Sequence, residues 1–291
     1  MEPDQKQTLI EDEPEENLEE SDIKKQISND NGTYNPQRHP KSKKKLKINT
    51  SKLTHGTLPL MKKIIEDHDW KEVHKGGDLL WSSYVDEDVT IGEEMMINKL
   101  PAMQTICSKS VFAFIFNKFK EYWPEMFPFH IKTYCYPEEE SKLEKKLSKG
   151  DIFIAKPASG SLGEGITLIS KISDIPKYGS NEWIVQKYIA NPLLLDKKKF
   201  DFRLYVLITS VDPYICYLNE EGLARLCTED YKKPTKENLK NHYIHLTNYY
   251  INKNHPDYKN GEDAFSRGGK RCLKTVWEDL KEQGIDVKGI R

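Results

Sequence analysis

Asp151-Ile152-Phe153-Ile154-Ala155-Lys156-Pro157-Ala158-Ser159-Gly160-Ser161-Leu162-Gly163-Glu164-Gly165-Ile166-Thr167-Leu168-Ile169 reads as a strand closed by a lysine, a loop of small residues and a second strand. Glycines let backbone N–H groups turn toward an anion, and Lys156 adds a point charge suited to a phosphate. This is not the phosphate loop of GxxxxGK[ST] proteins, because the lysine precedes the glycines and no helix follows. On its own a plain hairpin turn explains these residues equally well.

Working toward the C-terminus, Trp183 to Ile189 reads as a third strand, and Gln186-Lys187-Tyr188-Ile189 at its end can offer backbone groups to an adenine edge. A simple core strand is the alternative. Lys199 to Thr209 alternates as a fourth strand, with Phe200, Phe202, Leu204, Val206 and Ile208 on one face and Lys199, Asp201, Arg203 and Tyr205 on the other. Three alternating charges facing a cavity can bind phosphates and sugar hydroxyls; on an open sheet they are only a solvated surface. Pro213 to Leu218 and Leu223 to Cys227 are expected to form a hairpin around Asn219-Glu220-Glu221-Gly222. Arg225 on that apolar strand calls for a carboxylate or phosphate, which Asp201 could supply internally. His245-Leu246-Thr247-Asn248-Tyr249-Tyr250 is a polar cluster that also fits an Asn-rich turn, and Arg271 to Arg291 begins a helix.

Toward the N-terminus, Val111 to Tyr122 places Phe112, Ile115, Phe116 and Phe119 at helical spacing, which predicts an amphipathic helix ended by Trp123-Pro124, its Phe stripe in the core. Glu138 to Lys149 is a charged helix or exposed loop. Leu58 to Ile65 is a short helix, and Leu79 to Val85 a strand. Trp81 and Trp183 are expected in the core. His55, His68 and His74 do not have metal-site spacing. Residues 1–50 are expected to be a disordered tail: the first 30 are acidic and poor in large apolar groups, and residues 31–50 are basic without one acid. That basic stretch is a solvated linker or an arm for an acidic partner. The folded part is placed at 57–291.

The whole chain has 291 residues, with 45 basic and 46 acidic side chains. That balance excludes a globally basic nucleic-acid binder. Apolar content is 37% and charged content 31%, against a typical charged content of ~25%, so the surface is very polar or part of the chain lies outside the fold. No apolar run approaches the ~18 residues a membrane span needs, and the acidic start argues against a secretory leader. The five scattered cysteines, without a CxxC pair, fit a reducing, cytoplasmic protein.

Taken in order, Lys156-Pro157…Gly163-x-Gly165-Ile166, Gln186-Lys187-Tyr188-Ile189, Lys199-Phe200-Asp201-x-Arg203, Gly222-Leu223-Ala224-Arg225 and His245-Leu246-Thr247-Asn248-Tyr249 resemble the tubulin tyrosine ligase-like family over roughly residues 68–290. Ser210-x-Asp212-Pro213…Asn219-Glu220-Glu221-Gly222-Leu223-Ala224-Arg225 is similar to its polyglutamylase branch rather than its glycylase branch. The resemblance implies an α+β, ATP-grasp-like fold of mixed sheets with helices. It implies an ATP-dependent ligase that phosphorylates a glutamate side chain of tubulin and lets the amine of a free L-glutamate displace the phosphate. It also implies Mg²⁺, microtubules as partner, and a cytoskeletal location such as the cilium and basal body, with no nucleic acid and no membrane. Carried over by position, Lys109 and Lys156 contact ATP phosphates, and Leu162 and Gly163 lie over the nucleotide. Gln186, Lys187, Tyr188 and Ile189 hold adenine. Lys199, Asp201 and Arg203 bind the ribose and phosphate side, and Thr247 and Asn248 flank the phosphates. Arg225, with Tyr250 and Lys270, receives the carboxylate of the incoming amino acid, so Arg225 and Lys156 are the candidate catalytic groups.

Some positions depart from that pattern. Elongating members commonly carry Gln at the place of Leu162 and Arg at that of Glu164, and a small serine is usual in the family where Tyr250 stands. The family's Mg²⁺ ligands are an Asp and a later Glu-x-Asn. No Glu-x-Asn follows Asn248 here, so the reading is of a domain with an incomplete C-terminal part. A non-catalytic nucleotide- or microtubule-binding module, or a glycylase, is the alternative.

Overall fold

The computed structural model describes residues 45–83, 95–100, 103–177, 182–259 and 267–290. The chain divides into two units, Met1–Asn98 and Lys99–Arg291. In the first, β1 (Lys47–Asn49) pairs in parallel with β2 (Lys71–Val73) and β3 (Leu79–Leu80), and β3 with β4 (Met96–Ile97). Helix α1 (Leu58–Asp67) starts with Pro59 in its first turn, where the missing N–H costs nothing. Met61 and Ile65, four residues apart, bury one face with Ile48, and Leu79 and Trp81 pack around them. Residues 47–49, assigned above to the tail, are thus a strand with Ile48 fully buried. Ile48 between polar neighbours was too short a signal beside so many lysines. Residues 1–44 and the end of the expected 79–85 strand lie outside the described residues.

The second unit begins with α2 (Met103–Cys107) and α3 (Lys109–Tyr122). The helix forms as its spacing predicts, but its aromatic stripe is not core. Only Ala113 is buried, while Phe112 is 42% and Phe119 37% exposed. The rings pack on one another instead: Phe112 stacks on Phe116 at 4.1 Å, and Phe127 meets Phe116 edge-on.

An antiparallel sheet follows, in the order β5 (Thr133–Tyr136), β8 (Trp183–Lys187), β6 (Phe153–Pro157), β7 (Thr167–Ile169). Helix α4 (Glu140–Leu147) buries Leu143 and Leu147 against Phe153, Ala155, Val185 and Trp183 of that sheet. A second antiparallel sheet runs β14 (Lys270–Cys272), β13 (Leu223–Leu226), β10 (Lys198–Arg203), β9 (Leu194–Leu195). Helix α7 (Leu273–Glu282) packs Val276 and Leu280 on Leu195, Ala224 and Leu226. Leu168, Tyr188, Leu239 and Leu246 form a third buried cluster, with Ile154 of β6 packed against it. The short helices α5 (His242–His245) and α6 (Tyr249–Asn252) frame it.

Two expectations change here. The strand expected over 199–209 ends at Arg203, and β11 (Val206–Val211) restarts after Leu204-Tyr205 to pair with β12 (Tyr214–Leu218). Leu204 and Val206, expected on the apolar inner face, are 46% and 60% exposed, whereas Phe200 and Phe202 pack on the core as predicted. β13 therefore does not form a hairpin with β12; it lies between β10 and β14. Gly222 makes this possible, because a Cβ there would sit 2.6 Å from the carbonyl oxygen of Arg203.

A buried ion pair ties this sheet to α7. Arg271, 5% exposed, donates from Nη1 to Asp279 Oδ2 at 2.7 Å and reaches Asp196 in the β9–β10 turn at 2.6 Å. Among the described residues, Arg271→Met leaves the buried Asp279 carboxylate with the exposed Arg267 as its remaining ion-pair partner. It is expected to cost ~3–5 kcal/mol in urea unfolding at pH 7, and adding Asp279→Leu should recover most of that. Equal midpoints for wild type and the single variant would contradict this account.

Candidate functional site

β6 carries Lys156 to the end of the first sheet, beside Gln186 of β8, whose Oε1 accepts from Lys156 Nζ at 2.8 Å. The orientation of that amide is set from behind. Thr133 Oγ1 donates to the Ile131 carbonyl, so it accepts from Gln186 Nε2 at 2.8 Å and turns the amide oxygen toward the lysine. Lys109 opens α3, and its Nζ donates to the Gly160 carbonyl at 2.8 Å. Lys199 on β10 donates to the Tyr188 hydroxyl at 3.1 Å and to the His245 carbonyl at 2.8 Å. Its ammonium also lies 4.5 Å from the centre of the Tyr188 ring.

All three ammonium groups therefore rest on neutral oxygens. Burial pushes the pKa of Lys156 down, and the charge of Lys109 pushes it further. Burial also lowers that of Lys199; Cys227 works against this, Lys156 reinforces it, and Asp201 offsets part of it. Cations that disfavour one another's charge in a partly desolvated place provide a site for an anion.

The glycine loop lies over this group. Gly163 has φ +92°, and a Cβ on it would sit 2.6 Å from Asn248 Cγ, so glycine is required both by conformation and by contact. Leu162 also has a positive φ, 62°, and is 61% exposed. Strain of this kind costs on the order of 1–3 kcal/mol and gathers at ligand sites. Asn248 is held from below, where its carbonyl accepts from the backbone N–H groups of Ile251 and Asn252. Thr247, half-buried, precedes it.

A second charged row crosses the other sheet in register: Asp201 opposite Arg225, and Arg225 opposite Lys270. Arg225 Nε donates to Asp201 Oδ1 at 3.0 Å and Nη2 donates to Oδ2, a two-pronged pair. The internal partner considered from sequence for Arg225 is therefore present. Lys270 Nζ lies 3.8 Å from the centre of the Tyr249 ring, and Lys253 lies 4.5 Å from that of Tyr250, which is 49% exposed.

The predicted residues thus gather as two neighbouring groups. Lys109, Lys156, Gln186, Tyr188 and Lys199 form one, with Gly163 packed on Asn248 beside it. Asp201, Arg225 and Lys270 form the other, with Tyr250 near Lys253. Two side chains stand apart: Lys187 is paired with Asp151 at 2.8 Å, and Arg203 is exposed without an ion-pair partner among the described residues. Ile189 is 55% exposed. Thr133, Asn238 and His245, which hold these groups in place, went unselected; His245 lay in a cluster that also reads as a turn.

The profile of the tubulin-tyrosine ligase family matches residues 89–290. The chain is 34% identical to the human tubulin polyglutamylase TTLL11 over 266 residues, covering 86% of this chain and 37% of that protein. It is 33% identical to mouse tubulin polyglutamylase TTLL6, covering 88% of this chain and 31% of the relative. Against a probable beta-tubulin polyglutamylase of Tetrahymena thermophila it is 35% identical over 222 residues, 73% of this chain and 18% of the relative. The chain thus spans from about a fifth to a little over a third of the length of these relatives. Its helices and its parallel and antiparallel sheets are the α+β, ATP-grasp-like arrangement expected from the sequence, and the chain belongs to the tubulin-tyrosine ligase family.

Proposed function

We propose that this chain is the nucleotide- and amino-acid-binding part of an ATP-dependent ligase that joins L-glutamate to glutamate side chains of tubulin. The observation that carries the reading is the cluster of Lys109, Lys156 and Lys199, each held on a neutral oxygen and two of them with depressed pKa. A polyphosphate is the ligand whose charge such a cluster matches. The names of the relatives, tubulin polyglutamylases, supply the substrate class. A tubulin substrate supports a location on the cytoskeleton. No helix among the described residues is long and apolar enough to cross a membrane.

The residues fit ATP as follows. Lys109, Lys156 and Lys199 would neutralise its phosphates, under the loop of Leu162 and Gly163 and beside Thr247 and Asn248. The Gln186–Ile189 segment would hold the base, and Asp201 and Arg203 the ribose side. Bound ATP supplies the phosphoryl group that activates the acceptor carboxylate. Arg225, Lys270 and Tyr250 would hold the carboxylate of the incoming glutamate and keep it from reacting while its amine faces the acceptor. Placing both substrates on adjacent strands makes their meeting effectively intramolecular. Among the described residues no three His, Cys, Asp or Glu side chains come together to hold a metal ion.

Lys156→Met is expected to weaken ATP binding at least ~10-fold, the lower range for a charge-assisted contact. Because the folded pKa of Lys156 is depressed, its ammonium opposes folding at pH 7. The ligand-free variant should therefore melt at or above the wild-type temperature. Calorimetric titration and thermal melting check both, and unchanged ATP affinity would remove Lys156 from the site.

Arg225→Lys keeps a charge for Asp201 but loses the fork. It is expected to raise the KM for glutamate by ~2–4 kcal/mol equivalent, roughly 30- to 1,000-fold, with ATP affinity nearly unchanged. Loss of ATP affinity and melting temperature together, at an unaltered glutamate KM, would reduce Arg225 to a brace for Asp201.

A further inference from the structure

Behind the lysines lies an imidazole that the reading above leaves without a task. His245, in α5, is fully buried. Its carbonyl accepts from Lys199 Nζ at 2.8 Å, and its Nδ1 lies 3.1 Å from the Tyr188 hydroxyl, which itself lies 3.1 Å from Lys199 Nζ. One residue therefore grips the ammonium by two routes and closes a ring with Tyr188.

The far side of the imidazole sets the direction of each bond in this ring. Asn238 Nδ2 donates to the Lys233 carbonyl at 2.9 Å, and Asn238 Oδ1 accepts from the Thr235 N–H at 2.8 Å. The amide oxygen is thereby the atom that faces His245 Nε2, at 3.3 Å. Nε2 carries the proton, Nδ1 is left as an acceptor, and the Tyr188 O–H donates to it. The lone pairs of the Tyr188 oxygen then turn to Lys199. Burial, helped by the Lys199 charge, pushes the imidazole pKa down to about 4, which keeps the ring neutral in the cell.

We propose that His245 is the positioning residue of the nucleotide site, setting the Lys199 ammonium through its own carbonyl and through the Tyr188 hydroxyl. This rests on the nucleotide reading above. The groups that face the imidazole are Lys199 from β10, Tyr188 after β8, Tyr231 at 6.1 Å between ring centres, Asn238, and His242 of its own helix. Cys227, its thiol pushed up to about 12 by burial, lies beside Lys199 and Tyr188. None of these is a carboxylate. Protonating Nδ1 reverses the bond to Tyr188 and sets a second positive charge beside Lys199, so in acid the hold through Tyr188 is lost and only the carbonyl remains.

The test is ATP affinity as a function of pH in the whole protein, read beside the ¹⁵Nζ resonance of Lys199 without nucleotide. The sign follows from the depressed pKa: the hold is complete above the ordinary histidine range and is lost as pH falls through the folded value. Asn238→Asp gives Nε2–H a carboxylate, stabilises the imidazolium and should move the acid loss up by about one pH unit. Titration of the nucleotide phosphates is common to both proteins and cancels in the difference. His245→Phe should weaken ATP binding ~10-fold at pH 8, remove the difference between the profiles, and broaden the Lys199 signal. Should that variant not fold, Asn238→Asp and Tyr188→Phe carry the test. A profile and a Lys199 resonance for Asn238→Asp that superimpose on wild type overturn the inference. If wild type binds no ATP but the Lys199 resonance follows the imidazole and shifts in Asn238→Asp, the positioning stands and the nucleotide reading falls.

Discussion

The site depends on a cost that the fold accepts: ammonium groups drawn out of water and held only by neutral oxygens. A carboxylate hydrogen-bonded to Lys156 or Lys199 would relieve more of that cost and would also cancel the charge a polyphosphate would need. The protein instead uses an amide, a phenol and carbonyls, which orient an ammonium without neutralising it. Each acceptor is aimed by a partner one layer further out, Gln186 by Thr133 and Tyr188 by His245. Thr133 and His245 are themselves buried away from water.

Backbone detail serves the same end at two glycines. Gly222 lets β13 enter beside the Arg203 carbonyl, which brings Arg225 opposite Asp201. Gly163 lets the loop descend onto Asn248. Neither position tolerates a Cβ without moving main chain or a side chain of the site. The apolar packing of α7 on the second sheet, clamped by Arg271 and Asp279, holds the register on which the charged row relies.

Much of this was legible where a local pattern settles local structure. The strands at 153–157, 167–169 and 183–187 follow from apolar runs cut by glycines, and α1 and α3 from helical spacing. The loop between the first two strands follows from its composition. What failed was pairing and burial, which no short window contains. Leu223 to Cys227 has the texture of a hairpin partner for 213–218, but register with β10 and β14 wins because Gly222 permits the close approach. Phe112 and Phe119 have core spacing, yet they stack within their own surface cluster. The charged residues proposed for the site were chosen by family resemblance and by alternation along β10. His245 and Asn238 were not, because a residue that acts by aiming another is defined only by three-dimensional neighbours.

The placement of Asp201 shows how the two charged groups cooperate. It stands two residues from Lys199 on β10, so both side chains leave the same face about 6.6–6.8 Å apart along the strand. It binds Arg225 with both oxygens and still favours the charged form of Lys199. Against Arg225 and Lys270 a single carboxylate leaves the second row positive, and the first group is positive throughout. Two anionic ligands, a polyphosphate and an amino-acid carboxylate, would repel at such a distance in the absence of cations between them. Asp201 fixes Arg225 without cancelling all of the surrounding charge, so in the proposed arrangement one strand step would separate the two ligands and the cations between them would screen their repulsion.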